Sequence, residues 1–340
     1  MSEADAMPTL AQSVNHLLAS ADRREPFINP DGRSTGAFER VWIDGRPHVV
    51  KYVHLDDDFA MRVAGDIGCL PVRAWAAGLL DAAPTHVDHA IVGAASGYGR
   101  NGWGGALLMR DVSRELATTD GEQFLPDEHS TFVDHLAGWC AATWDFRDDP
   151  ATGPGLLPYA TRWGFFGHAA LDGELALNLP ERVPVVASEG WARFPERAPA
   201  GVAAVVEELR RDVSPLAGAL RTTPSCLLHG DLKASNMGTA ADGRTVLIDW
   251  AYVGEGPACH ELGWYLALNR DKLPVSKEDT IEQFRTALER HGIATSGWWD
   301  RQLDLALLGT LVQFGWEKAL GDGEELGWWC EAARAGIPRL

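Results

Sequence analysis

The sequence changes character near residue 112, and that change limits the fold classes open to it. From about Gly32 to Asp111 it reads mainly as strand. Residues Phe38–Ile43 alternate with period two, Asp44-Gly45 is a hairpin turn signal, and 48–53 follow as the partner strand. Residues 73–80 read as a helix ending before Pro84, and 106–109 as a short apolar strand closed by Arg110-Asp111. Beyond this point helices dominate. Pro126-Asp127-Glu128 opens one that carries Phe132, Leu136, Trp139 and Cys140 at three-to-four spacing. Others are expected at 202–220, 279–291 and Trp299–Leu320, whereas 147–200, rich in Gly and Pro, read as a loop-rich insertion. Strands first and helices afterwards predict an α+β architecture in two lobes, 1–111 and 112–340.

Composition removes several function classes. With 340 residues and 46% hydrophobic content the chain can bury a large core in one domain or two closely joined ones. A formal net charge of −18 argues against non-specific nucleic-acid binding, which depends on Lys and Arg neutralising phosphates. No apolar run approaches the roughly 18 residues of a membrane helix. The first residues, with early acids and no apolar stretch, do not resemble a secretory signal. Cys69, Cys140, Cys226, Cys259 and Cys330 are scattered without a C-x-x-C pair, which suits reduced, buried thiols rather than disulfides or a zinc site. A soluble cytoplasmic monomer or homodimer is expected, with neither nucleic acid nor membrane as a partner.

The chemistry is concentrated in one polar loop between two apolar strands, Cys226–Leu228 and 245–248. It runs His229-Gly230-Asp231-Leu232-Lys233-Ala234-Ser235-Asn236, and Asp249-Trp250 ends the second strand. Each of these residues alone would pass as turn chemistry. The ordered set fits phosphoryl transfer, which needs positioned metal ions and a group that orients the attacking hydroxyl. Asp231 can take the hydroxyl proton, Asn236 can offer an amide oxygen to Mg²⁺, and Asp249 supplies the carboxylate that a hard cation prefers. Upstream, residues 32–36 with Ser34 and Thr35 fit a cover over the phosphates, and Lys51, inside an apolar strand, fits a phosphate-pairing lysine. The stretch 97–102 matches G-x-G-x-x-G, but no helix pattern follows it, so it reads as a hairpin loop and not a dinucleotide site.

The H-G-D-x-x-x-x-N segment followed by I-D-W resembles the aminoglycoside phosphotransferase and choline kinase family, distant relatives of protein kinases. The resemblance extends from roughly Gly32 to the C-terminal helices, with its specific part at 227–257. It implies a bilobal protein-kinase-like fold with Mg²⁺ and with ATP or GTP as donor. It makes Asp231 the catalytic residue, Asn236 and Asp249 the metal ligands and His229 a holder of the loop, and it directs Lys233 to the γ-phosphate. Lys51 would meet the α- and β-phosphates, and Met109, Arg110, Asp111 and Val112 would form the adenine hinge. No Glu lies between Lys51 and Leu80 to partner that lysine; Asp66 is the candidate, with Asp56, Asp57 and Asp58 as competitors.

In such a family the acceptor site is built from helices beyond Asp249. That region is rich in Trp and acids, which suit an amino-bearing or sugar-like ligand. Trp299, Asp300, Gln313, Trp316 and Glu317 are the candidates for contact with the small-molecule acceptor. Glu261 is counted with this region, and the family usually places there an acid that braces the catalytic loop. An aminoglycoside-type antibiotic, with a role in antibiotic resistance, or an amino sugar is the first expectation for the acceptor. A choline-like alcohol or an amino acid is the alternative. A protein kinase is disfavoured by the missing A-P-E-type motif, and a non-catalytic nucleotide-binding module by retention of Lys51, Asp231, Asn236 and Asp249 together.

Overall fold

The computed structural model describes residues 9–27, 37–82, 84–117, 122–180 and 182–340. The proposed phosphate cover at 32–36, with Ser34 and Thr35, lies outside them. After a single helical turn, α1 (Val14–Leu17), come β1 (Ala21–Pro26), β2 (Phe38–Ile43), β3 (Arg46–His54), the short helices α2 (Phe59–Ala64) and α3 (Leu70–Ala76), then β4 (Val87–Asp88), β5 (Ile91–Tyr98) and β6 (Gly104–Arg110). All but β4 form one antiparallel sheet in the order β1-β2-β3-β6-β5. The β2–β3 hairpin turns at Asp44 and Gly45, with φ of 49° and 72°, the backbone that a two-residue turn of this twist requires. The expected hairpin loop at 97–102 joins β5 to β6.

Alternation along β3 decides where Lys51 points. Val50 and Tyr52 pack with Val41, Ala106 and Leu108 in a small outer cluster, whereas Val49 and Val53 join the main core. Side chains two apart share a sheet face. Lys51 therefore projects with Val49 and Val53 toward the second lobe.

That lobe holds α4 (Pro126–Ala142), α5 (Thr161–Gly164), α6 (His168–Leu177), α7 (Arg182–Arg197), α8 (Ala200–Arg211), α9 (Ser214–Leu220), β7 (Cys226–Leu228), β8 (Met237–Thr239), β9 (Thr245–Leu247), β10 (Gly254–Gly256), α10 (Ala258–Leu268), α11 (Lys277–Arg290), α12 (Trp299–Leu320) and α13 (Gly323–Gly336). Every residue from Leu305 to Trp316 of α12 is buried, which makes that helix the axis of the lobe. All five cysteines are free and buried. Among the described residues no helix is long and apolar enough to cross a membrane.

Several sequence expectations are corrected. Residues 147–200 are not loop-rich: they contain α5, α6 and the sixteen-residue α7. Pro184 falls early in α7, where a missing N–H is tolerated, and the helix is held by its packing on α12 despite Pro195 near its end. The helix expected at 202–220 is two, α8 and α9, with Pro215 in the first turn of the second. The helix expected at 73–80 begins earlier, at Leu70, with Pro71 in its first turn, and ends at Ala76. Three-residue β8 left no pattern to read. It pairs with β9, and β9 pairs in parallel with β4, so a strand of the first 111 residues belongs to a sheet of the second lobe.

Candidate active site

The polar loop leaves β7, which pairs with β10 and is held from behind by α4: Trp139 Nε1 donates to Leu227 O at 2.6 Å, and Leu227 N donates to Thr143 Oγ1 at 3.2 Å. Gly230 then takes φ 81°, and a Cβ there would sit 2.7 Å from Tyr252 O and 2.8 Å from Arg162 Nη1, so only glycine fits the bend. His229 locks the turn through both ring nitrogens. The Asp231 N–H donates to Nδ1 at 3.1 Å, which makes Nε2 the protonated nitrogen and donor to Ile248 O at 2.9 Å. Burial lowers the imidazole pKa and keeps this neutral tautomer.

Five residues meet at this loop: Asp231, Lys233 and Asn236 from the loop itself, Asp249 from the end of the next strand and Lys51 from the first lobe. Lys51 Nζ lies 2.7 Å from Asp249 Oδ1, across 198 positions of sequence. Lys233 Nζ lies 2.7 Å from Asp231 Oδ2, and Asn236 Nδ2 donates to the same Oδ2 at 2.8 Å and to Asp231 O at 2.9 Å. Asp249 itself holds φ 65°, an uncommon backbone for a non-glycine residue and one that aims its carboxylate back at Lys51. Burial pushes the Asp249 carboxyl up, but Lys51 and Lys233 outweigh it and hold it down at about 2. Burial likewise pulls both lysines down, and the carboxylates more than offset this, so each stays charged with a raised pKa.

The donor set fits Mg²⁺. Among the described residues no three His, Cys, Asp or Glu side chains gather as a metal cage. One fully ionised carboxylate, Asp249, stands beside one amide, Asn236, whose nitrogen is taken by Asp231 and whose Oδ1 is the atom left to offer. Mg²⁺ prefers such sparse oxygen sites, keeping waters and taking its remaining ligands from phosphates.

The acid beside Lys51 is corrected. Asp66 is buried and turned away: it pairs with Arg73 at 3.0 Å and accepts from Leu70 N at 2.6 Å, at the start of α3. After Asp249, the carboxylate that acts on Lys51 is Asp58, which is buried and caps α2 by accepting from Met61 N at 2.9 Å. At the expected hinge Arg110 and Asp111 have both side chain and amide engaged. Arg110 bonds to Asp88 and Ala90 O, and Asp111 to Arg40, Ser113 and Pro47 O. Met109 is paired within the sheet between β3 and β5. The Val112 carbonyl is taken by Glu115 N at 2.9 Å, so the Val112 amide and the Asp111 carbonyl are what remain for a base.

The acceptor residues named from sequence do not converge either. Trp299 and Trp316 lie about 25 Å apart along one helix at 1.5 Å per residue. Trp299 is buried against Phe284 and Trp298, and Asp300 is exposed at the same far end. Gln313 is consumed inside the core, accepting from Trp264 Nε1 and donating to Arg162 O. Trp316 is buried on Phe166, and Glu317 pairs with Lys318 at 2.7 Å. Glu261 is a brace and not a ligand contact: its carboxylate accepts from the His229 and Gly230 amides beneath the loop. Burial pushes this carboxyl up to about 7, although Arg162 and the two amides pull the other way.

Three residues of the site gave little warning. Tyr252, three positions beyond Asp249, packs on Phe165 and Trp264, with its hydroxyl acted on by Asp231, Asp58 and Asp249. Arg162 is buried, donates to Tyr252 O and Glu255 O, and is lowered to about 10 by that burial. It sits in the stretch that reads as loop. Asn269, completely buried, reaches the catalytic loop from the end of α10, and a lone Asn after a helix pattern reads only as a helix stop.

Comparison with known proteins gives the family and the fold. The model of a phosphotransferase enzyme family, APH, matches residues 72–298. No match is found among curated proteins. Choline kinase LicA from Streptococcus pneumoniae superimposes with a TM-score of 0.50 at 11% identity, over 96% of this chain and 98% of that one. LicA in complex with AMP gives 0.50 at 12% identity, over 96% of both chains. A microcompartment-associated aminopropanol kinase gives 0.51 at 13% identity, over 94% of this chain and 93% of that one. At such identities the likeness concerns the fold, and it bears out the bilobal, protein-kinase-like α+β architecture.

Proposed function

The chain belongs to the APH phosphotransferase enzyme family, and on that premise we propose that it moves the γ-phosphoryl group of ATP or GTP to a hydroxyl of a small amino-bearing molecule. The observation that carries this reading is the meeting of Lys51 and Asp249 with Asp231 and Asn236 at one loop, where Lys233, paired with Asp231, also feels Asp249. Asp231 orients the acceptor hydroxyl and takes its proton as the oxygen attacks. Lys51 faces the α- and β-phosphates, and Lys233 the γ-phosphate. Lys51 rests on Asp249 and Lys233 on Asp231, so neither buried charge stands alone. Mg²⁺, held by Asn236 and Asp249, would supply positive charge to the phosphates. The Val112 amide with the Asp111 carbonyl receives the base, and the lobes divide near residue 111.

For the acceptor, the carboxylates of Asp231 and Asp58, both of which act on the Tyr252 hydroxyl, favour a ligand that carries a cationic nitrogen. Choline, a quaternary ammonium alcohol, and aminopropanol, an amino alcohol, name the two fold neighbours, and amino sugars and aminoglycosides share the cationic nitrogen. The reading keeps the enzyme in the cytoplasm, where ATP and Mg²⁺ are abundant. A coupled ADP- and GDP-release screen of amino alcohols, amino sugars and aminoglycosides tests it. Turnover that disappears in Asp231→Ala, with nucleotide affinity retained, is the expected result. Absence of Mg²⁺-dependent nucleotide binding in the wild-type chain would sink it.

A further inference from the structure

Glu261 and Tyr265 of α10 and Asn269, which caps its C-terminus, follow at spacings of four, which places them in line on one face. Glu261 takes the amides of His229 and Gly230, at the entry to the catalytic loop. Two turns later Asn269 takes the exit. Its Oδ1 accepts from Ala234 N at 2.7 Å, and its Nδ2 donates to Leu232 O at 2.8 Å and to Tyr265 O at 2.9 Å. The bond to Tyr265 is what any helix-terminal Asn could make. The other two have no role in ending α10: they hold the residues immediately before and after Lys233. That lysine is the one whose Nζ sits on the catalytic carboxylate at 2.7 Å, with Asp249 the next carboxylate to act on it.

We propose that Asn269 is a positioning residue that fixes the backbone on both sides of Lys233, aims its ammonium at the γ-phosphate, and thereby sets the preference for nucleoside triphosphate over diphosphate. The inference rests on the phosphotransfer reading, because it needs Lys233 to meet the γ-phosphate. An amide suits the position where a carboxylate or a hydroxyl does not: one side chain must accept from Ala234 N–H and donate to Leu232 O at once. The site is completely buried, so water cannot replace either bond.

The test compares Mg²⁺-ATP and Mg²⁺-ADP binding by calorimetry in the full chain and in Lys233→Ala, Asn269→Ala, Asn269→Asp and the Lys233→Ala/Asn269→Ala double variant. Lys233→Ala and Asn269→Ala should each reduce the ATP-over-ADP preference by about tenfold or more, the loss of one charge-assisted contact. ADP affinity should stay near wild type, and the double variant should lose no more than Lys233→Ala alone. Asn269→Asp, which keeps the acceptor and loses the donor, should fall between. A merely structural role would lower the melting temperature and leave the ratio untouched.

If the wild type binds ATP and Lys233→Ala loses the preference, but folded Asn269→Ala keeps it, the inference is overturned while the phosphotransfer reading stands. An intact preference in Lys233→Ala overturns it too. A wild type that binds neither nucleotide overturns the phosphotransfer reading itself. Should no Asn269 variant fold, hydrogen exchange on the wild type decides: the Ala234 amide should be protected to the level of the α10 amides, and rapid exchange there would refute the anchor.

Discussion

Glu261 shows how one buried carboxyl couples the site to pH. Its folded pKa of about 7 stands above the ordinary 4.5, so between those values the folded chain keeps a proton that the unfolded chain releases. Stability from this group is therefore full below about pH 4.5 and declines as pH rises to about 7. Glu261→Gln keeps an acceptor for the loop amides and removes the titration. Its melting temperature should rise relative to wild type as pH goes from 4.5 to 7, and a constant difference would contradict the assignment. Asp249 behaves in the opposite sense: held at about 2, it stays ionised across the working range and ready for a cation. Asp249→Ala should abolish Mg²⁺-dependent nucleotide binding, and an unchanged calorimetric titration would remove it from the metal site.

At the scale of elements, α12 and α7 depend on each other. A Cβ at Gly190 would lie 2.2 Å from Trp316 O, so the two helix backbones approach as only a glycine allows. Gly190→Ala should destabilise the chain by about 1–3 kcal/mol through overpacking, despite its better helix propensity, as read from chemical denaturation. This contact also explains what the sequence could and could not tell. Trp299–Leu320 was legible because a long apolar pattern requires no partner to be recognised. The β2–β3 hairpin was legible because Asp44-Gly45 is local turn chemistry. In α7 the local signals, two prolines and a glycine, point to loop, and only the partner helix overrides them. The same division runs through the site. Asp231 and Asn236 lie in one short polar loop and Asp249 ends the apolar strand after it, an order that carries the chemistry. Asn269 and Arg162 act through contacts made only on folding, and the acceptor candidates taken from α12 do not gather in one place because composition along a helix says nothing of a 25 Å separation (about 17 residues).

At the scale of the molecule, the two lobes are tied by α2. Phe59 stacks on Phe166 with ring centroids 5.7 Å apart, and Arg62 makes a nearly buried pair with Glu174 of α6 at 2.9 Å. Removing the Glu174 carboxylate takes from Arg62 the charge-assisted bonds that join its Nε and Nη2 to α6. Glu174→Gln should therefore speed hydrogen exchange in α2 and α6 together while α12 keeps its protection; unchanged exchange in α2 would show that the tie bears no strain. The five hidden cysteines give this architecture its own clock. Burial raises the Cys69 thiol to about 12 and Cys330 to about 11, so neither presents a reactive thiolate while the chain stays closed. An aromatic disulfide reagent added to the native protein would then count openings and not surface sites. Cys69 would report when the sheet lobe lets go, and Cys330, near the far end of the chain, when α13 does. The order in which those two thiols become labelled would disclose which half of the enzyme yields first, without a single engineered probe.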